Sequence, residues 1–407
     1  MQLQGQTWTT LTAAPRGHNP EAEYPTVMAQ IRTAAGKVVH LTSAHSSADV
    51  RIFHKECKTL ADAGYEVVLI AGQDGGAICH NVRIDILPAA IGRGQRMTRS
   101  VARIFNRALR ERADLYHFHD PELIPVGLCL KMAGHRVVYD VHEDVPKQIM
   151  SKSWIRPQLR SGVSGTVAAI ERLGERCFDG LVAATPSIAC RFRPDRTVIV
   201  QNFPILEEFN IHREPPPYHS RPPLLAYVGG LEEIRGVREM LEAMALLPAD
   251  LKARLQLAGT FASPAFEASC RAMPGWRQTD HLGWQTRPEV VALLGRARAG
   301  LVLLRPTPNY VEAQPVKLFE YMAAGLPVVA SDFPLWRRIV EGAGCGILVD
   351  PTDPRAIADA LTWLLTHPDE ASAMGARGRA AVMTTYNWNT EAKKLLAFYA
   401  RILSQKR

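Results

Sequence analysis

Cysteine is sparse. Seven cysteines in 407 residues are scattered and odd in number, and none forms a Cys-x-x-Cys. That spacing argues against a disulfide framework or a cysteine zinc site and points to a reducing cytosol. No apolar run approaches the ~18–20 residues of a membrane span. No Gly-x-Gly-x-x-Gly follows a strand, so the dinucleotide fingerprint is missing. Neither a Ser/His/Asp nor a Cys/His constellation offers a nucleophile, and no His-Glu-x-x-His helix holds a metal. Residues 1–36 lack the compact apolar stretch of a signal peptide. They are polar, bear Pro and Gly, and read as a flexible arm, with Met28 as an alternative start.

The length exceeds one ordinary core and fits two domains of roughly 150–200 residues each. A formal charge of +8 calls for anionic partners, among which nucleotide-sugars, lipid phosphates and nucleic acid all qualify. Strand-like and helix-like runs alternate throughout, the pattern of parallel α/β sheets. Residues 37–203 form a first domain that opens with the strand Lys37-Val-Val-His-Leu-Thr, a helix through Lys55, Glu56 and Leu60, and the strand Tyr65–Ala71. Residues 204–223 read as a linker whose Pro-rich part, 214–223, has no core potential of its own. Residues 224–385 form a second domain, and 386–407 a terminal helix.

In the first domain, Leu115-Tyr-His-Phe-His119 puts His117 and His119 on one face of a strand. The neighbouring strand Arg136–Val141 ends in His142-Glu-Asp. Together they bring His119, Asp120, Asp140, His142, Glu143 and Asp144 to one sheet edge. Two readings compete, a metal site and a polar pocket; the loop placement of the ligands favours the pocket. Asp49 and Arg51, in the loop after the first strand, read equally as a plain ion pair or as functional groups.

In the second domain Gly229-Gly230 follows a strand, and Arg235 stands just before a helix. Glycines allow close backbone approach, and a cation there joins the helix N-terminus in attracting a diphosphate. The densest signal is Tyr310-Val-Glu-Ala-Gln-Pro-Val-Lys-Leu-Phe-Glu-Tyr-Met-Ala-Ala-Gly-Leu-Pro-Val-Val-Ala-Ser-Asp332. A helix begins near Pro315, a residue suited to a first helical position. Glu312 and Glu320 frame it, with seven residues between them.

That stretch resembles the donor-site motif of the retaining family 4 glycosyltransferases, of the GT-B architecture, in their bacterial surface-polysaccharide sub-branch. Met322-Ala-Ala-Gly-Leu-Pro-Val-Val329 matches the family's run, and the His45 to Glu56, His117 to Leu123 and Tyr139 to Asp144 patterns resemble the sub-branch. The resemblance spans roughly residues 37–403 and implies two Rossmann-like domains facing a cleft, with the terminal helix returning to the first. It implies that Glu312 binds the donor sugar's hydroxyls and Glu320 the ribose. It gives the diphosphate to Arg235, to Gly229 and Gly230, and to the amides of Val316 and Lys317. It places the nucleotide base near Gly283 and Trp284, the latter read equally as core. His119 would touch the sugar near its reacting carbon, and Asp49, Arg51, Asp120, Asp140, His142 and Glu143 would shape the acceptor side. Two departures stand out: Gln314-Pro315 replaces Phe-Gly, and Gly230 replaces the first diphosphate-clamping cation, for which Lys317 is a substitute.

The implied activity is transfer of a hexose or acetamido-hexose from a nucleotide-diphosphate sugar to an acceptor hydroxyl, with no metal and no further cofactor. The implied acceptor is a glycan or a lipid-linked intermediate. Arg93 to Arg112 carries seven arginines and one acid on a helical pattern. It reads as a core-packed helix with a solvated basic face or, more sharply, as a surface for an anionic membrane. No nucleic-acid motif accompanies it. The expected location is the cytoplasm, on the inner face of the membrane. A nucleotide-sugar epimerase on the same fold and a non-catalytic nucleotide-sugar-binding module are the competing readings.

Overall fold

The computed structural model describes residues 36–72, 78–88, 96–152, 155–210 and 216–405. The N-terminal arm and the start of the arginine-rich segment lie outside these residues.

Among the described residues eight strands build the first sheet: β1 (Lys37–Thr42), β2 (Glu66–Ala71), β3 (Ile78–Cys79), β4 (Val82–Ile86), β5 (Leu115–Phe118), β6 (Arg136–Val141), β7 (Gly180–Ala183) and β8 (Thr197–Ile199). Their order is β3-β4-β2-β1-β5-β6-β7-β8, parallel except for the β3–β4 pair. Alternate residues of these apolar runs face opposite sides, and both sides are buried, as helical crossovers require. Val67 and Leu69 pack with Ile52, Leu60, Leu395 and Tyr399, whereas Val68 and Ile70 pack with Ile104, Ala108 and Leu130. The helix Trp388–Ser404 thus returns from the second domain to cover one face of the first sheet. On the other face, the helix Val101–Glu111 buries Ile104 and Ala108, and Arg103 and Arg110 remain exposed.

The second sheet runs β11 (Thr279–Gly283), β10 (Arg254–Ala258), β9 (Leu224–Val228), β12 (Ala299–Val302), β13 (Val328–Ser331) and β14 (Gly346–Val349), and its pairs are parallel. Tyr218 corrects the reading of 214–223 as a segment without core potential. It is buried in the second core, its hydroxyl donating to the Arg298 carbonyl at 2.7 Å, because a tyrosine ring outweighs the surrounding prolines.

Apart from the antiparallel edge strand β3, the strand order of each sheet reverses once, between β1 and β5 and between β9 and β12. Ligands of open α/β sheets bind outside the carboxyl ends of strands at such switch points. The stretches with the richest chemistry sit at these two points.

Candidate functional site

At the end of β9, Gly229 has a left-handed φ of +129°. A Cβ there would stand 2.8 Å from the Lys317 ammonium and 3.7 Å from an Arg235 nitrogen. Both cations therefore converge beneath the Gly229-Gly230 turn, although they come from different helical segments. Lys317 Nζ is buried, lies 3.8 Å from the Tyr227 ring centroid and has no hydrogen-bond partner among the described residues. Burial, and then Arg235, push its pKa well below the usual lysine range. A desolvated ammonium facing the ring quadrupole gains from the cation–π contact, yet its three donors remain unused.

The helix Val316–Ala323 starts one residue later than the sequence suggests. Pro315 is its N-cap, in extended conformation, and no side chain caps the first turn. The missing N–H of Pro315 costs nothing there, and the Val316 and Lys317 amides lead the helix. Tyr321, inside the helix, receives the Val228 N–H at 2.8 Å and fixes the helix against β9.

Glu320 is nearly buried and paired with Arg287, whose Nη1 donates to it at 2.7 Å; Arg287 also holds Glu208 at 3.1 Å. Arg287 is absent from the sequence-derived site. Its only signal is its place at the start of the helix Arg287–Arg296, and helical periodicity does not reveal where a first-turn side chain points. Gly283 ends β11 with a positive φ of +68° and open space where a Cβ would lie. Trp284 is 71% exposed, which removes its reading as a core residue.

Across from this wall, Asp49 caps the π-helical turn Val50–Cys57, accepting from the Arg51 and Ile52 amides at 2.8 and 2.9 Å. The Asp49–Arg51 ion pair considered from sequence is not what forms. The Arg51 guanidinium turns inward to Asp140, with contacts of 3.0 and 2.8 Å, and to the Val200 carbonyl at 2.8 Å. Burial alone would raise Asp140, but Arg51, His142 and His119 hold its carboxyl well below the usual range. Asp140 Oδ2 lies 2.6 Å from His142 Nε2 and 3.2 Å from His119 Nδ1. Burial draws His119 down to about 4 despite the Asp140 hydrogen bond. Asp120 gathers the loop after β1, accepting from Thr42 Oγ1 at 2.8 Å and the Ser43 amide at 2.6 Å.

Between the two walls lies a cavity of about 370 Å³. Asp49, Arg51, His142 and Glu143 line it from the first domain, and Glu312 and Val316 from the second. His119, Asp120 and Asp140 form the layer behind, so His142 and His45, and not His119, are the histidines that line the cleft. Lys147, which the sequence did not single out, lines the same cavity and pairs with Glu312 across it.

Two parallel-sheet α/β domains facing a polar cleft, with paired cations at a glycine turn beside a helix N-terminus, define the GT-B class. Residues 208–381 match the family Glycosyl transferases group 1, and residues 50–202 match the Glycosyl transferase 4-like domain. The chain belongs to the group 1 glycosyltransferases. It is similar to D-rhamnosyltransferase WbpZ of Pseudomonas aeruginosa, 26% identical over 316 residues, which cover 75% of this chain and 77% of that one. It is also similar to an MMP alpha-(1->4)-mannosyltransferase of Mycolicibacterium hassiacum, 23% identical and covering 72% of each chain. Among solved structures, WaaG, a glycosyltransferase involved in lipopolysaccharide biosynthesis, superposes with a TM-score of 0.70 at 19% identity, over 91% of this chain and 100% of that one. HepE of Anabaena in complex with UDP-glucose superposes at 0.68 and 14% identity, over 90% and 100%.

Proposed function

We propose that this glycosyltransferase moves a hexose or acetamido-hexose from a nucleotide-diphosphate sugar to a hydroxyl of a lipid-linked or polysaccharide intermediate, with retention at the anomeric carbon. The carrying observation is the buried, unpartnered Lys317 ammonium beside Arg235 at the Gly229-Gly230 turn. Two cations and the leading amides of the helix Val316–Ala323 make a cradle for a diphosphate. Lys317 supplies from the helix the positive charge that Gly230 does not supply from the loop.

In this reading Glu320 takes the ribose hydroxyls, with Arg287 holding its carboxylate in place, and Glu312 takes the sugar hydroxyls. The base lies by Gly283 and the exposed Trp284. His142 faces the sugar, oriented by Asp140 and His119 behind it. As the glycosidic bond breaks, negative charge grows on the departing diphosphate, where Arg235, Lys317 and the amides stabilise it in a partly dehydrated cleft. The acceptor oxygen bonds to the anomeric carbon on the face the diphosphate leaves, and the acceptor proton passes to the leaving phosphate oxygen. The transfer step uses no metal. The relatives' assignments as sugar transferases support this substrate class. The exposed arginines of the helix Val101–Glu111 and the segment before it would hold the enzyme at an anionic inner membrane surface. Among the described residues no helix is long and apolar enough to cross a membrane.

Proton NMR of donor turnover tests the reading. The expected product has the donor's own anomeric configuration. An inverted product contradicts the retaining mechanism, and an epimerised nucleotide-sugar formed without acceptor favours the epimerase.

A further inference from the structure

The layer behind His142 holds a further cluster, of which the transfer proposed above uses only His119, to orient His142. In the parallel β1–β5 pairing His40 lies opposite His117, and His119, two residues on, shares the same face. Glu56, from the π-helical turn Val50–Cys57, projects onto these rings. The side chains of His40, Glu56 and His117 are fully buried, and His119 is 2% exposed. One donor atom from each of the four lies within 4.8 Å of all the others. The three ring centroids are 4.7, 4.8 and 5.1 Å apart.

The hydrogen bonding is lopsided. Tyr399 Oη meets His117 Nδ1 at 2.6 Å and His40 Nε2 at 3.4 Å, and Asp140 meets His119 Nδ1 at 3.2 Å. His40 Nδ1 and His119 Nε2 face each other at 2.9 Å, where a single proton satisfies one of the two. Both Glu56 oxygens and His117 Nε2 have no hydrogen-bond partner among the described residues. Arg51 Nε stands 3.2 Å from one Glu56 oxygen, but its hydrogen bonds go to Asp140 and Val200. Buried polar atoms left in this way call for an explanation such as a bound ion.

We propose that His40, Glu56, His117 and His119 form a closed structural site for one divalent metal ion of the zinc class. Three imidazoles and one carboxylate match the borderline character of zinc, whereas magnesium and calcium prefer oxygen ligands. Tyr399 and Asp140 play the outer-shell role that orients metal-bound imidazoles. The other such group, His119, Asp140 and His142, is a poorer candidate because both Asp140 oxygens already accept hydrogen bonds from Arg51. The ion would tie the returning helix Trp388–Ser404, through Tyr399, to β1 and β5. It would be a fixture of the fold, joined to the donor site proposed above only through His119.

The test uses untagged full-length chain. Metal content after gel filtration is expected at about one zinc per chain, lost in Glu56→Gln and His117→Asn and kept in His142→Asn. Wild-type chain unfolded in chelator and refolded with cobalt(II) should show the visible absorption of a tetrahedral site, which decides the matter even if the variants do not fold. Refolding in chelator should lower Tm. Background metal in folded chain grown with added zinc, together with no cobalt spectrum, would overturn the proposal and leave Glu56 satisfied by a proton. Full metal content in both Glu56→Gln and His117→Asn would overturn it as well.

Discussion

Lys147 of the first domain and Glu312 of the second form an ion pair across the cleft. Both side chains are more than a third exposed, so the pair is screened and contributes little to stability. Its interest is positional, because Lys147 occupies the carboxylate assigned to the donor sugar.

Lys147→Met should therefore free Glu312 and tighten donor binding modestly, by no more than about fivefold, the equivalent of an exposed pair. Calorimetric titration of the donor checks it. Weakened binding would mean that Lys147 itself touches the donor.

Lys317→Met removes a buried charge that lacks a hydrogen-bond partner. The ligand-free chain should be as stable as wild type or more so, while diphosphate affinity falls by about 2 kcal/mol or more, over tenfold. Because the ammonium's pKa is depressed and an anion favours its charged form, diphosphate binding should take up a proton and weaken as pH rises. Titrations in buffers of different ionisation enthalpy read that proton directly.

Gly229→Ala places a methyl in a left-handed backbone position and 2.8 Å from Lys317 Nζ. A loss of roughly 1–2 kcal/mol is expected from the backbone alone. The double variant with Lys317→Met should recover part of the cost, since the steric partner is gone. Strict additivity in denaturant unfolding would show that the lysine does not crowd this turn.

His45 shows how the cleft's charges bear on pH. Burial lowers its pKa, but the Asp49 hydrogen bond and Asp120 overcome that and raise it from 6.5 to about 9. A raised imidazole stabilises the fold fully below 6.5, and the contribution is lost as pH rises through 9. An NMR titration should find His45 still charged at neutral pH, and Asp49→Asn should lower the midpoint. His45→Gln should flatten stability between 6.5 and 9.

Much of the architecture was legible because its signals are local. Apolar runs such as Glu66–Ala71 could only be buried strands, and the Glu312 to Val329 stretch carries its motif in contiguous residues. The partners were not legible. Arg51 chooses Asp140 over its neighbour Asp49, and His119 retreats behind His142, because the order β2-β1-β5-β6 decides which side chains meet. Arg287, Lys147 and Tyr399 act through contacts 33, 165 and 282 residues away, which no spacing rule encodes. The metal reading, weighed on His119, Asp120, Asp140, His142, Glu143 and Asp144 and set below a polar pocket, did not include His40 or Glu56 for the same reason.

Everything proposed here for the second domain depends on its binding a nucleotide-diphosphate sugar at the Lys317, Arg235 and Glu320 site. A thermal-shift panel of nucleotides and nucleotide-sugars, on wild type and Glu320→Ala, tests it most directly, since a ligand of the native state raises Tm by mass action. A rise with one base's diphosphate and its sugars, reduced in the variant, is expected. No rise with any nucleotide, or the same rise in the variant, would contradict it.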